Sequence, residues 1–280
     1  MNHSLFSGPA CIGLIALLWS QAALADLTLF PTRIVLENNQ RAAQVELMNS
    51  GTVPETYRIS LVNRRMGEFG EFSPLAEAGP GDLFAEPMLR YSPRQVTIEP
   101  RSSQTVRILV RKPGGLMAGE YRSHLQFDRV ADVVAATSIE QANQPAEQAV
   151  GVVITTLVGA SIPVIVRHGV TDVGVTLSDL ALLPATADQQ PVLSFQIHRS
   201  GSRSVYGDLS VTFTAEGGSP VVLAGAGALA VYVPNLLRRG RMVLRVPPGL
   251  ALERGSVHLH YRERTEAGGQ VLAQASLPLP

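Results

Sequence analysis

The sequence predicts an all-β chain made of two sandwich domains. From residue 26 onward, short alternating or β-branched runs are punctuated by Gly, Pro and Asn. No convincing amphipathic helix separates them, and the pattern pauses around Gly169 before a second set begins. Strands spaced this closely, without helices between them, favour antiparallel sandwiches over a parallel sheet.

Residues 1–25 stand apart from this pattern. They contain no Asp, Glu, Lys or Arg, carry the apolar core ACIGLIALLW, and end in QAALA before Asp26. Small residues at Ala23 and Ala25 fit a secretory signal peptide cut after Ala25, with a core too short to span a bilayer. Cys11 and Trp19, the single cysteine and tryptophan, both fall inside it. The mature chain then lacks thiols, which removes disulfides, metal–thiolate sites and cysteine nucleophiles from consideration.

The first set of strands reads LTLFPTRIVL, AQVELMN, ETYRISLVNRRM, MLRYSPRQVTIEP, SQTVRILVRK and GEYRSHLQFDRV, with a Gly/Glu-rich excursion after Met66. Residues 131–148, ADVVAATSIEQANQPAEQ, change composition to small and amide residues and read as a long flexible loop, by its length a candidate functional loop. The second set follows Gly169: VTDVGVTLSDLALL, VLSFQIHRSG, VYGDLSVTFTAEGG, VVLAGAGALAVYVPN, GRMVLRVPPG and SVHLHYRER. The domains are therefore expected at residues 26–168 and 169–280.

Between the two sets lies QAVGVVITTLVGASIPVIVR, in which 19 residues separate Glu147 from Arg167 without a charge. That length approaches a transmembrane helix. Gly151, Gly159, Pro163 and the many β-branched residues make it a poor helix, so no stable membrane insertion is expected. As a strand it puts Val152, Ile154, Thr156, Val158, Ala160, Ile162 and Val164 on one almost wholly apolar face. Pro163 favours an edge or a bulge. An apolar edge is a template for pairing with another chain, whether a client or a second copy of the protein.

Acidic and basic residues balance at 23 each, with Lys112 the only lysine, so no global field draws the chain to nucleic acid. His258 and His260 share a strand face without a motif-placed carboxylate or cysteine, and read as a surface pair; no metal or cofactor is expected. The arginines at 238, 239, 241 and 245 read as a solvated turn. GAGALA at 225–230 lacks the spacing of a dinucleotide loop, and no G-x-S-x-G or H-E-x-x-H arrangement appears. The chain is not expected to be an enzyme.

The order and spacing of FPTRIVLE, NSGTVPETYRISL, SPRQVTIEPRSSQTVRI, GEYRSHLQF and SIPVIVRHG resemble the periplasmic pilus (fimbrial) chaperones, the PapD-like family, as a divergent branch. The resemblance is strongest over residues 27–168. It implies two immunoglobulin-like domains in a boomerang arrangement, a periplasmic location, and pilin-like subunits and an outer-membrane usher as partners. It implies donor-strand complementation, in which the last strand of the first domain lends side chains to a subunit lacking one. The lending residues would be Ile154, Thr156 and Val158, with Val152 and Ala160 beside them. Arg33 would bind the subunit's terminal carboxylate, and Arg167 would belong to an interdomain ionic network. The sequence departs from the family at two of these positions. Pro163 stands where the second anchoring residue is a lysine, and Thr156 where a large aliphatic side chain is usual. A structural or adhesive two-domain sandwich without chaperone activity is the alternative reading.

Overall fold

In the computed structural model, residues 27–37, 39–130, 159–186, 189–264 and 268–280 are described. The signal-peptide reading and the loop at 131–148 lie outside them. The described chain is all-β, apart from one short 3-10 turn at Glu86–Met88, in agreement with the expected class.

The strands up to His168 form two facing sheets. One contains β1 (Leu27–Phe30), β3 (Ala42–Asn49), β9 (Ser103–Val110) and β7 (Leu89–Ser92), in that order. The other orders β2 (Ile34–Leu36), β11 (Gly159–His168), β10 (Gly119–Arg129), β4 (Glu55–Val62) and β8 (Gln95–Ile98). The run LTLFPTRIVL thus splits at Pro31, its first part pairing with β3 and its second with β11. A small hairpin of β5 (Arg64–Met66) and β6 (Phe72–Pro74) projects from β4.

Alternation puts Val45, Leu47, Ile59, Ile98, Val106, Ile108, Leu125 and Phe127 into one core between the sheets. Each such side chain contributes about 1.5–3 kcal/mol by leaving water. The NSG motif has a structural role. Buried Asn49 donates from Nδ2 to the Val53 and Ile98 carbonyls and accepts from the Gly51 amide, tying the β3–β4 turn to β8.

Beyond His168, β12 (Val173–Leu183), β13 (Val192–Gly201) and β16 (Leu237–Val243) make a three-stranded sheet. It faces a four-stranded sheet ordered β15 (Val221–Val231), β14 (Val205–Ala215), β17 (Gly255–Arg262) and β18 (Val271–Leu279). Phe195, Ile197, Val211, Phe213, Leu259 and Tyr261 fill the second core.

Three expectations need correction. The arginines at 238, 239 and 241 are not in a solvated turn: they lie on β16, where Arg238 donates to the Ala230 carbonyl and Arg239 pairs with Glu68 at 2.9 Å. The apolar segment is not an edge along its whole described length, because β2 pairs parallel with Val164–Val166. The nine-residue β18 at the C-terminal end joins the second sandwich, a strand beyond those the sequence pattern predicts.

Candidate partner-binding site

The site is built on β10 and β11, whose antiparallel register pairs Phe127 with Ala160, Leu125 with Ile162, His124 with Pro163 and Arg122 with Ile165. Successive side chains on a strand point to opposite faces. Leu125, Phe127, Ile162, Val164 and Val166 face the first core. Their neighbours in sequence, Arg122, His124, Ser161, Pro163 and Ile165, occupy the opposite face. Ile165 there packs with Met66, Ala230 and Tyr232, a small cluster that joins the first sandwich to the second.

Along β11 the two ends differ. From Val164 to Val166 it lies between β10 and β2. From Gly159 to Pro163 it has β10 on one side and, among the described residues, no strand on the other. The proline therefore sits on the half of the strand with an open edge, where a missing ladder donor is tolerated. Ala160 belongs to this half and is partly buried. Val152, Ile154, Thr156 and Val158 lie outside the described residues.

Arg33 immediately precedes β2. Ile34 is paired with Val164, so Arg33 enters the sheet one step earlier, beside Pro163. Its guanidinium carbon stands 4.5 Å from the Tyr206 ring centroid and 6.0 Å from that of Tyr232, both residues of the second sandwich. Cation–π contacts of this kind orient a guanidinium without neutralising it. Nε and Nη2 of Arg33 are buried and have no hydrogen-bond partner.

Arg122 approaches the same tyrosine from β10, its guanidinium carbon 4.5 Å from the Tyr232 ring and 5.8 Å from Phe72. Its Nη2 donates to the Arg64 carbonyl at 3.1 Å, and Nη1 is buried without a partner. Burial lowers its pKa, with Tyr232, Glu120 and Asp82 acting in the opposite direction. Beside it, His124 meets Phe72 edge to face at 5.1 Å. Burial, reinforced by Arg122 and Arg64, pushes its pKa down to about 3, so the ring is neutral at physiological pH. Tyr232 has its pKa raised by burial, against the pull of Arg33 and Arg122.

Arg167 occupies a different environment on the same seam. It donates from Nε to Glu120 at 2.9 Å and pairs through Nη1 with Glu37. Glu120, itself buried, accepts from the Ser204 amide at 3.1 Å and from the Ser204 hydroxyl. Ser204 Oγ in turn accepts from the Val233 amide at 3.1 Å. An arginine of one sandwich is thereby connected through one carboxylate to the backbone of the other. On β17, His258 and His260 stack with centroids 6.3 Å apart, and His258 Nδ1 shares a hydrogen bond with Ser276 Oγ at 2.8 Å.

The motifs singled out Arg33 and Arg167 but passed over Arg122, Glu120, Tyr206, Tyr232 and Ser204. The available signal was in GEYRSHLQF. A charged residue and a histidine alternate there with core positions in the middle of a strand, which requires a polar or aromatic cover on the second face.

No family model matches the sequence, and no curated protein matches it either. Solved structures similar to the chain are fimbrial chaperones. The YadV chaperone is 13% identical, with a TM-score of 0.45 over 90% of this chain and 100% of the other. A chain of the CsuC–CsuE chaperone–tip adhesion subunit complex of Acinetobacter baumannii Csu pili is 13% identical, with a TM-score of 0.45 over 91% and 98%. A chain of the Salmonella enterica SafA pilin complex with the SafB chaperone is 13% identical, with a TM-score of 0.43 over 92% and 98%. Among the described residues, no helix is long and apolar enough to cross a membrane.

Proposed function

We propose that this protein is a periplasmic chaperone of the pilus type, with domains at 26–168 and 169–280 after a signal peptide at 1–25. It binds pilin-like subunits that lack a strand, completes them by donor-strand complementation, and passes them to an outer-membrane usher. It acts by binding rather than catalysis.

The observation that carries the reading is the half-open β11: from Gly159 to Pro163 only β10 flanks it among the described residues, and Arg33 stands beside that half in the seam. A strand continued in the same register would put Val152, Ile154, Thr156, Val158 and Ala160 on the parity of Ile162 and Val164, which face the core. A client sandwich seated against this edge would extend the chaperone's own core with lent side chains. Its backbone would find donors and acceptors already aligned. Arg33 has an appropriate fork for a terminal carboxylate, with two nitrogens still to be matched. Arg167, matched within the chain, holds the two sandwiches together through Glu120.

The test is co-expression in the periplasm with a pilin-like subunit and pull-down of the chaperone. Ile154→Asp with Val158→Asp should abolish recovery of the subunit, because charged groups would enter an apolar groove, while the melting temperature stays unchanged. Undiminished recovery would remove this strand as the donor. A structural or adhesive sandwich would behave in that second way.

A further inference from the structure

The chain is neutral overall, with 23 basic and 23 acidic residues, yet one concavity of the first sandwich, where β9 and β11 end, carries a single sign. It has a volume of about 660 Å³ and is lined by Arg41, Arg111, Lys112 and His168, with the side-chain amides of Asn39 and Gln40. Among the described residues no carboxylate lines it. We propose that this concavity is an anion site whose ligand is a phosphate group, held by Arg41, Arg111 and Lys112. The site stands apart from the client strand and from Arg33 in the seam.

Three segments supply these groups. The turn from β2 to β3 brings Asn39, Gln40 and Arg41, the end of β9 brings Arg111 and Lys112, and the end of β11 brings His168. The Val110 amide donates to the Arg41 carbonyl and the Arg111 amide to the Met88 carbonyl, each at 2.8 Å, so the first two segments are fixed side by side. Lys112, the only lysine of the chain, donates from Nζ to the Arg167 carbonyl at 2.8 Å and ties them to the third. Gly169 then turns the chain away at a φ of 68°, a conformation suited to glycine. Glu37, the carboxylate beside the β2–β3 turn, is already paired with Arg167. Arg41 and Arg111 are exposed to solvent, and neither is in an ion pair among the described residues.

Cations gathered in a concavity without a carboxylate repel one another and focus a positive potential on the space between them. An anion that enters is favoured by that field and relieves the repulsion. Phosphate suits the arrangement because its oxygens point tetrahedrally and can accept from all three segments, whereas a carboxylate offers two oxygens in one plane. Arginine holds such oxygens through its fork and lysine as a point charge. Neither Phe nor Tyr lines the space, which fits a hydrated anion better than an apolar side chain. A soluble phosphate ester and a lipid headgroup share this chemistry.

The experiment follows the backbone amide signals of the full mature protein by 15N NMR during titration with inorganic phosphate and, at matched pH and ionic strength, with acetate. The signals of Arg41, Arg111 and Gly169 are expected to move with phosphate along one saturation curve and to stay in place with acetate. The double variant Arg41→Gln with Arg111→Gln should fold like the wild type and weaken phosphate by about tenfold or more, through lost charge-assisted hydrogen bonds. Arg245→Gln, which removes an exposed arginine of the second sandwich, should leave binding unchanged. Sedimentation with vesicles of phosphatidylcholine alone, and of an equimolar mixture with phosphatidylglycerol, separates the two sources. Binding to the mixture only, lost in the double variant, assigns the phosphate to a lipid headgroup. Saturation by inorganic phosphate with no vesicle binding assigns it to a soluble ester. Equal shifts with acetate, or equal weakening by Arg245→Gln, would reduce the effect to general screening and overturn the site, as would the absence of saturation.

Discussion

Two arginine sites share the seam between the sandwiches, and their pairing is opposite. Arg167 is matched by Glu120 and Glu37, and Glu120 continues to Ser204 of the second sandwich. Arg33 and Arg122 lean on Tyr206 and Tyr232 and keep unmatched nitrogens. A buried cation matched within its own chain fixes the relation of the parts that supply its partners. A buried cation left unmatched costs free energy until something else arrives. The contrast places cohesion at Arg167, and the proposed function gives reception to Arg33.

The largest effect should come from the matched site. Glu120→Ala leaves Arg167 and Ser204 without their acceptor, and loss of one member of a buried pair costs about 3–5 kcal/mol. Urea denaturation should show this as a lower midpoint; an unchanged midpoint would mean that the network does not hold the seam.

Next in size is the response of His124 to acid. Its folded pKa, about 3, lies below the ordinary 6.5, so the unfolded chain binds a proton across that interval while the folded one does not. Stability is thus complete above the ordinary value and falls as pH drops from 6.5 towards 3, by about 1.4 kcal/mol for each pH unit well inside the window. Melting curves between pH 7 and 4.5 should move down, and His124→Gln should flatten that dependence. A wild-type curve as flat as the variant's would contradict the burial of a neutral imidazole.

Removing a receptive cation should do least to the fold. Arg33→Ala is expected to stay within about 0.5 kcal/mol of the wild type in stability, while recovery of a co-expressed subunit falls sharply. A large loss of stability with recovery in proportion would make Arg33 another cohesive residue. Smallest of all, Arg239→Ala breaks a partly exposed pair with Glu68 and should cost about 0–1 kcal/mol, diminishing with salt.

The fold class was legible in the sequence because alternation and turn residues are local signals. ETYRISLV and SQTVRILV name their own buried positions, and the buried Tyr57, Ile59, Val106 and Ile108 follow that alternation. The end strand Val271–Leu279 was less legible, since small residues and Pro278 blur the period. The arginines of β16 read as solvated because their charge density masks the strand parity. At the site, motif resemblance pointed to Arg33 and Arg167. Tyr206 and Tyr232 could not be found that way: they meet Arg33 only because two separate sandwiches pack, and no periodicity encodes that contact. Arg122 lay hidden for a related reason. Its strand was read by its core face, and the polar face acquires meaning only once Phe72 and Tyr232 cover it.

The central claim is that a client completes its fold along the open half of β11. Hydrogen exchange of the protein with and without a bound pilin-like subunit tests it most directly. Alternate backbone amides from residue 152 to residue 162 should become protected in the complex, while those of Val164–Val166, already flanked by β2 and β10, change little. Protection that appears instead on the edges of the second sandwich, with residues 152–162 exchanging as in the free protein, would contradict the account.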